Sequence, residues 1–157
     1  MKQGIREVRK QDVEALKQVL DSSELFPSNL LDDMISDYFN NPSSQDIWFT
    51  KIDRNTPVSI AYCAPEKFTE GTYNLFAIGV RKDYQGKGIG REMMNYIEDL
   101  LKKQGHRILI VETSGKSEFE LTRDFYHKCN YTKEATIKEF WNKGDDKVVF
   151  WKKLNIS

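Results

Sequence analysis

Cysteine is scarce in this chain, with two residues in 157, and neither Cys63 nor Cys129 stands in a C-x-x-C or Cys/His spacing. The scarcity excludes a disulfide-stapled fold and a cysteine-based metal site, and both thiols read as reduced residues in or near the core. Net charge is missing as well, since Lys plus Arg and Asp plus Glu are each 24. With no global basic field to recruit nucleic acid or anionic lipid, any anion site must be local. No apolar run approaches the roughly 20 residues of a membrane span. Residues 1–4 lead into mixed polar sequence instead of a signal-peptide core, so the expected location is cytoplasmic, without a membrane partner. Repeats, low-complexity tracts and linkers are also lacking, and 157 residues suffice for one core without disulfides or metal. The expectation is a single domain over residues 1–157.

The apolar pattern that remains is ordered. Residues 5–9 read as a short strand, and Asp12 offers an N-cap to a helix whose apolar face is Val13, Leu16, Val19 and Leu20. Pro27 and Ser28 open a second helix, which Asn40, Asn41 and Pro42 end. Residues 46–51 and 58–64 are the second and third strands, with turn chemistry at 53–57 between them. Residues 72–80 form a fourth, aromatic and branched strand, and Gly79 inside it marks a bulge or a close backbone approach. Met93, Met94, Tyr96, Ile97, Leu100 and Leu101 recur at helical spacing from Ile89 until Gly105. The run Ile108-Leu109-Ile110-Val111 suits a strand covered on both faces, parallel to the fourth. A helix over 118–129 and two strands, 132–141 and 147–154, joined by the turn-rich residues 142–146, complete the chain. The order β-α-α-β-β-β-α-β-α-β-β implies a mixed sheet flanked by helices. Trp48, Tyr62, Phe76, Trp141 and Trp151 fall on strands and read mostly as core, one or two of them lining a ligand pocket.

Between the fourth strand and the third helix stands Gln85-Gly86-Lys87-Gly88-Ile89-Gly90. Glycines let successive amides turn into one concavity, and a helix start adds unsatisfied N–H groups and a positive dipole end. The loop is therefore expected to hold a pyrophosphate. Its spacing is neither the G-x-G-x-x-G of a dinucleotide fold nor the G-x-x-x-x-G-K-[ST] of a P-loop. A dinucleotide reading, encouraged by Glu112 some twenty residues on, fails on that spacing and on the short chain that remains for further parallel strands.

The loop, followed by Arg91, resembles the Q/R-x-x-G-x-G/A loop of the GNAT superfamily of N-acetyltransferases. Phe125-Tyr126-His127-Lys128-Cys129-Asn130-Tyr131 is similar to the F-Y-x-x-x-G-F/Y segment of that family, with Asn130 in the place of glycine; asparagine tolerates the left-handed conformation the turn needs. The resemblance covers about residues 4–154. It implies an α/β (α+β) fold: a mixed, mostly antiparallel seven-stranded sheet whose central parallel pair, the fourth and fifth strands, splays apart, flanked by about four helices. It also implies acetyl-CoA as co-substrate and no metal. The amides of Gln85, Gly86, Lys87, Gly88, Ile89, Gly90 and Arg91 would wrap the coenzyme pyrophosphate, and backbone groups of Ile78 and Val80 would pair with pantetheine. A larger side chain at Gly88 is expected to close the phosphate concavity.

Acetyl transfer to an amine needs a neutral nucleophile and a proton for the departing thiolate. Tyrosine, with an ordinary pKa of about 10, suits the donor, and the resemblance puts Tyr126 in that role; read without the resemblance, Tyr126 is an amphipathic core residue. Glu112, at the C-terminal end of the fifth strand, is the candidate base, with a solvated or salt-bridged strand-end glutamate as the competing reading. Tyr73, Glu66 and Glu70 border the same expected cleft without a decisive signal. His106 and His127 read as surface residues, and Asp145 and Asp146 as turn formers. The partner is a small-molecule or peptide amine, which the acidic residues Asp21, Glu24, Asp32 and Asp33 could attract if they are not simply a solvated face. Dimers are common in the family, so a homodimer is compatible with the resemblance. The alternative function is a catalytically idle acyl-CoA binding or sensing module.

Overall fold

Side-chain alternation along the early strands decides where the helices go. The computed structural model describes residues 4–154, so the reading of the first three residues lies outside the described part. The described chain divides into two compact units, one of residues 4–65 and 76–97, the other of residues 66–75 and 98–154.

The first unit contains β1 (Ile5–Glu7), α1 (Val13–Ser23), α2 (Leu31–Asn40), β2 (Ile47–Asp53), β3 (Thr56–Pro57), β4 (Ser59–Pro65), the second half of β5 (Thr72–Val80) and the first turns of α3 (Ile89–Lys103). β2 pairs antiparallel with β1, Ile5 opposite Lys51, and with β4, Ile47 opposite Cys63. Trp48 and Ile60 join Leu16, Val19 and Leu20 of α1 and Leu31 and Ile35 of α2 in one buried cluster. Their neighbours in sequence face α3: Phe49 packs on Tyr96 at 5.3 Å between ring centroids, and the Ser59 hydroxyl donates to Met93 Sδ. Helices thus cover both sheet faces, which explains why β2 and β4 read as nearly continuous apolar runs instead of alternating ones.

Asp12 acts one turn earlier than its sequence position suggests. Its carboxylate makes no cap to α1; it accepts from the Arg9 amide at 2.7 Å and from both terminal nitrogens of Arg6. Burial pushes the Asp12 carboxyl up, but the Arg6 guanidinium and the Arg9 amide outweigh it and hold the group below the ordinary value. The 53–57 turn also yields more than a loop. Arg54 and Asn55 both adopt left-handed backbone, φ 51° and 63°, and close a two-residue hairpin that pairs Asp53 with Thr56. The short β3 that results is an eighth strand where seven were expected.

The second unit holds the start of β5, β6 (Ile108–Ser114), α4 (Glu120–Lys128), β7 (Thr132–Asn142) and β8 (Asp145–Lys153). β5 and β6 pair in parallel from Thr72 opposite Ile108 to Leu75 opposite Val111. β6 pairs antiparallel with β8 over its whole length, and β8 with β7 through a tight turn at Lys143 and Gly144. The strand order is β1-β2-β4-β5 in the first unit and β5-β6-β8-β7 in the second, with β3 beside β2. The architecture is the mixed, mostly antiparallel α/β sheet with one parallel pair and four helices that the element order implied. Both cysteines are free and buried. The aromatic expectation needs correction: Trp48 is fully buried, but Phe76 and Trp141 are about half exposed, at 50% and 47%. No helix among the described residues is long and apolar enough to cross a membrane.

Candidate active site

The glycine loop leaves β5 through a 3-10 turn at Lys82–Tyr84 and enters α3 at Ile89. Gly86 and Gly88 adopt φ of 79° and 82°, a backbone region that glycine occupies without strain. The first α-helical bond runs from the Glu92 amide to the Gly88 carbonyl, so the amides of Ile89 and Gly90 have no helical carbonyl to donate to. Gln85 through Gly88 are exposed. A Cβ built on Gly86 or Gly88 would meet no atom within 4 Å. No protein atom crowds the open space at either glycine, and a side chain at Gly88 would in addition strain its left-handed φ.

Two polar contacts fix the approach to this loop. The Lys82 amide donates to the Ser22 hydroxyl at 2.7 Å, and Gln85 Nε2 donates back to the Val80 carbonyl at 2.9 Å. That carbonyl belongs to one of the two residues expected to pair with pantetheine. Ile78, Gly79 and Val80 are partly buried. Of the two explanations open for Gly79, a close approach is observed: a Cβ there would stand 3.0 Å from Leu25 Cδ2 and 3.3 Å from Ser23 Oγ. Phe76 meanwhile stacks on Tyr62, which packs on the α1/α2 cluster, as Leu25 does.

Tyr126 lies near the end of α4 and is 4% exposed, its ring set against Phe125, Tyr131 and Phe150 at 5.3 to 6.1 Å. Burial above all, with Cys129 adding to it, pushes the phenol above its ordinary value. Asn130 takes φ 69°, the Tyr131 amide donates to the Tyr126 carbonyl and the Asn130 amide to the His127 carbonyl, both at 3.0 Å. This pair of bonds is the Schellman closure that the motif needs, and asparagine supplies it in place of glycine. The turn is tied further: Tyr131 Oη donates to Glu98 Oε2 at 2.7 Å, while Lys152 Nζ donates to Glu98 Oε1 and to the Cys129 carbonyl.

Glu112 is 19% exposed and forms an ion pair with Lys147 at 3.3 Å. The Lys147 ammonium also stands 3.9 Å from the Phe140 ring centroid and 6.0 Å from that of Trp141. Nothing in a single sequence signals this lysine, because its partners come from β6 and the far strand of the hairpin. Glu66 is engaged by Asn74 Nδ2 at 2.7 Å, and the Glu70 carbonyl accepts from Arg107 Nε. Tyr73 is buried against His106, which is only partly exposed, while His127 lies on the surface. Both aspartates lie at the start of β8 and not in the turn: Asp145 accepts from the Ser114 hydroxyl of β6, and Asp146 from the Glu139 amide across the hairpin.

The sequence from 13 to 131 matches the family model described as the acetyltransferase (GNAT) family. The chain belongs to that family. A GNAT-family protein from Desulfovibrio desulfuricans superposes with a TM-score of 0.90 at 25% identity, covering 97% of this chain and 99% of its own. The ribosomal-protein-S18-alanine N-acetyltransferase of Escherichia coli shares the fold at TM-score 0.77 and 16% identity, covering 98% and 94%. YncA of Salmonella typhimurium, solved with its cofactor acetyl-CoA, does so at 0.79 and 15%, covering 98% and 94%. The last two show the fold alone. No curated protein matches the sequence. Family membership makes the loop from Gln85 to Arg91 the place to look for the acyl donor and Tyr126 the first residue to test for chemistry, while Glu112 is a candidate only by its place at the end of β6.

Proposed function

We propose that this GNAT protein transfers an acetyl group from acetyl-CoA to a primary amine by direct attack within a ternary complex. The observation that carries the reading is the loop itself: exposed, left-handed at Gly86 and Gly88, and opening directly onto the first amides of α3. Those features fit a pyrophosphate, whose oxygens accept from amides and whose charge is favoured at a helix N-terminus.

The amides of Gln85 to Arg91 hold the pyrophosphate, and backbone groups of Ile78 and Val80 hold the pantetheine arm. Acetyl-CoA, when bound, supplies an activated acyl thioester. Tyr126 holds on its Oη the proton that a departing thiolate requires. Its raised pKa keeps that proton in place at any pH near neutral, and makes the phenol a hydrogen-bond donor first and a Brønsted acid second. Glu112 accepts the proton of the incoming ammonium, directly or through water, and Lys147 sets its orientation through the ion pair at 3.3 Å. The acceptor is a small-molecule amine or a peptide amine; the Escherichia coli neighbour, by name, acts on an alanine of ribosomal protein S18.

A panel of small amines, amino acids and peptides with acetyl-CoA, scored by free thiol release, tests the reading. Amine-dependent release is expected. Binding of acetyl-CoA without thiol release from any amine would instead mark a catalytically idle acyl-CoA module.

A further inference from the structure

Tyr84, the last residue of the turn before the glycine loop, has no part in the chemistry above, yet three side chains are organised around it. Its hydroxyl donates to Asp53 Oδ2 at 2.6 Å, which ties the turn to the end of β2. Its ring carries two cations, with the Arg81 guanidinium carbon 4.8 Å and Lys87 Nζ 5.0 Å from the centroid. Asp83 engages Arg81 through Nε and Nη2, at 2.7 and 3.0 Å. Lys87 forms no ion pair among the described residues.

An exposed lysine ordinarily samples many rotamers with its ammonium in water. Here the negative face of the ring favours keeping it beside a second cation, despite their mutual repulsion. Two cations gathered on one ring next to an amide cradle make a receptor for more negative charge than the cradle alone would hold. Coenzyme A carries such charge. Its pyrophosphate is accounted for by the amides, while its third phosphoryl group, the 3′-monoester on the ribose, has no ligand among them. A phosphate monoester bears a charge of about −1.5 to −2 near neutral pH; Lys87 offers it an ammonium, and Arg81, held by Asp83 through Nε and Nη2, still offers Nη1, so a guanidinium beside an ammonium suits its several acceptor oxygens.

We propose that Arg81 and Lys87, held in place by Tyr84, form a side-chain site for the 3′-phosphate monoester of the coenzyme. The site rests on the reading of the loop as the pyrophosphate cradle, and it makes the protein selective for coenzyme A over its 3′-dephospho form. Tyr84 is a positioning residue, and Arg81 and Lys87 are the ligands.

Equilibrium titration of the wild type, Lys87→Gln and Tyr84→Leu proteins with coenzyme A and with 3′-dephospho-coenzyme A tests it. Gln at 87 preserves the loop amide and removes only the ammonium. The wild type should prefer coenzyme A about tenfold, the order of a charge-assisted contact to phosphate. Lys87→Gln should bring that ratio close to one, losing more affinity for coenzyme A than for the 3′-dephospho form, and Tyr84→Leu should lower it part of the way. The same preference in Lys87→Gln as in the wild type, or no preference in the wild type, would overturn the site and leave the acetyl-CoA reading standing. A wild type that binds neither compound would overturn both.

Discussion

The glycine loop and the turn that ends α4 both require left-handed backbone, and they are built in opposite surroundings. Gly86 and Gly88 are exposed, with open space where their side chains would be. Asn130 sits between buried Cys129 and buried Tyr131, in a turn closed by two backbone bonds and braced by the Glu98–Lys152 pair. In the first turn the Ile89 and Gly90 amides have no helical carbonyl to donate to. The second has to claim every backbone group so that one buried phenol keeps one orientation. Glycine serves where flexibility and access are needed, and asparagine suffices where neighbours fix the conformation.

That contrast gives the variants an order of effect. Tyr126→Phe removes a hydroxyl and nothing else from the ring cluster, so kcat should fall by about 10² or more, the usual weight of a general acid, with KM for acetyl-CoA nearly unchanged in steady-state assays. Because burial raises the Tyr126 pKa, that proton stays in place through the neutral and mildly alkaline range, and no alkaline loss of rate below about pH 10 should trace to it. Next comes Gly88→Val. Strain of roughly 1–3 kcal/mol at a left-handed position should weaken acetyl-CoA binding by about 5- to 150-fold in a calorimetric titration. Gly88→Asn, which tolerates that φ and meets no neighbour, should lose much less; equal losses would mean that side-chain bulk, not backbone, sets the cradle.

The same pair of changes applied to the other turn should touch stability, not donor binding. Asn130→Val should lower thermal stability by about 1–2 kcal/mol, and Asn130→Gly should be neutral or slightly stabilising. The smallest effect is expected at Asp12. The Asp12 carboxyl is held below its ordinary pKa, so its stabilisation is complete above the unfolded carboxylate value and is lost as pH falls through the folded one. Asp12→Asn should therefore flatten the acid limb of a stability–pH profile, and an unchanged limb would show that Arg6 contributes nothing through this pair.

How much of this was visible beforehand depended on whether the interaction was local. The glycine spacing, the helical period from Ile89 to Leu101 and the Phe125 to Tyr131 segment all state their structure within a few residues, and each formed as expected. Asp12 did not act as expected, because an arginine six residues back and a backbone amide compete for the same carboxylate. Phe76 and Trp141 have the composition of core residues and lie half exposed, since strand propensity does not say which face is covered. Lys147 was invisible, its partners being Glu112 on β6 and two aromatic rings on β7. The glycine loop is local and was legible, whereas the surroundings of the proposed base are long-range and were not.

The most direct test of the account is a side-by-side steady-state measurement of KM for acetyl-CoA and of kcat in Gly88→Val and Tyr126→Phe, with whichever amine supports turnover. The account predicts a crossed result: Gly88→Val raises KM with kcat largely kept, and Tyr126→Phe lowers kcat with KM largely kept. Full turnover in Tyr126→Phe, or unchanged KM in Gly88→Val, would contradict it.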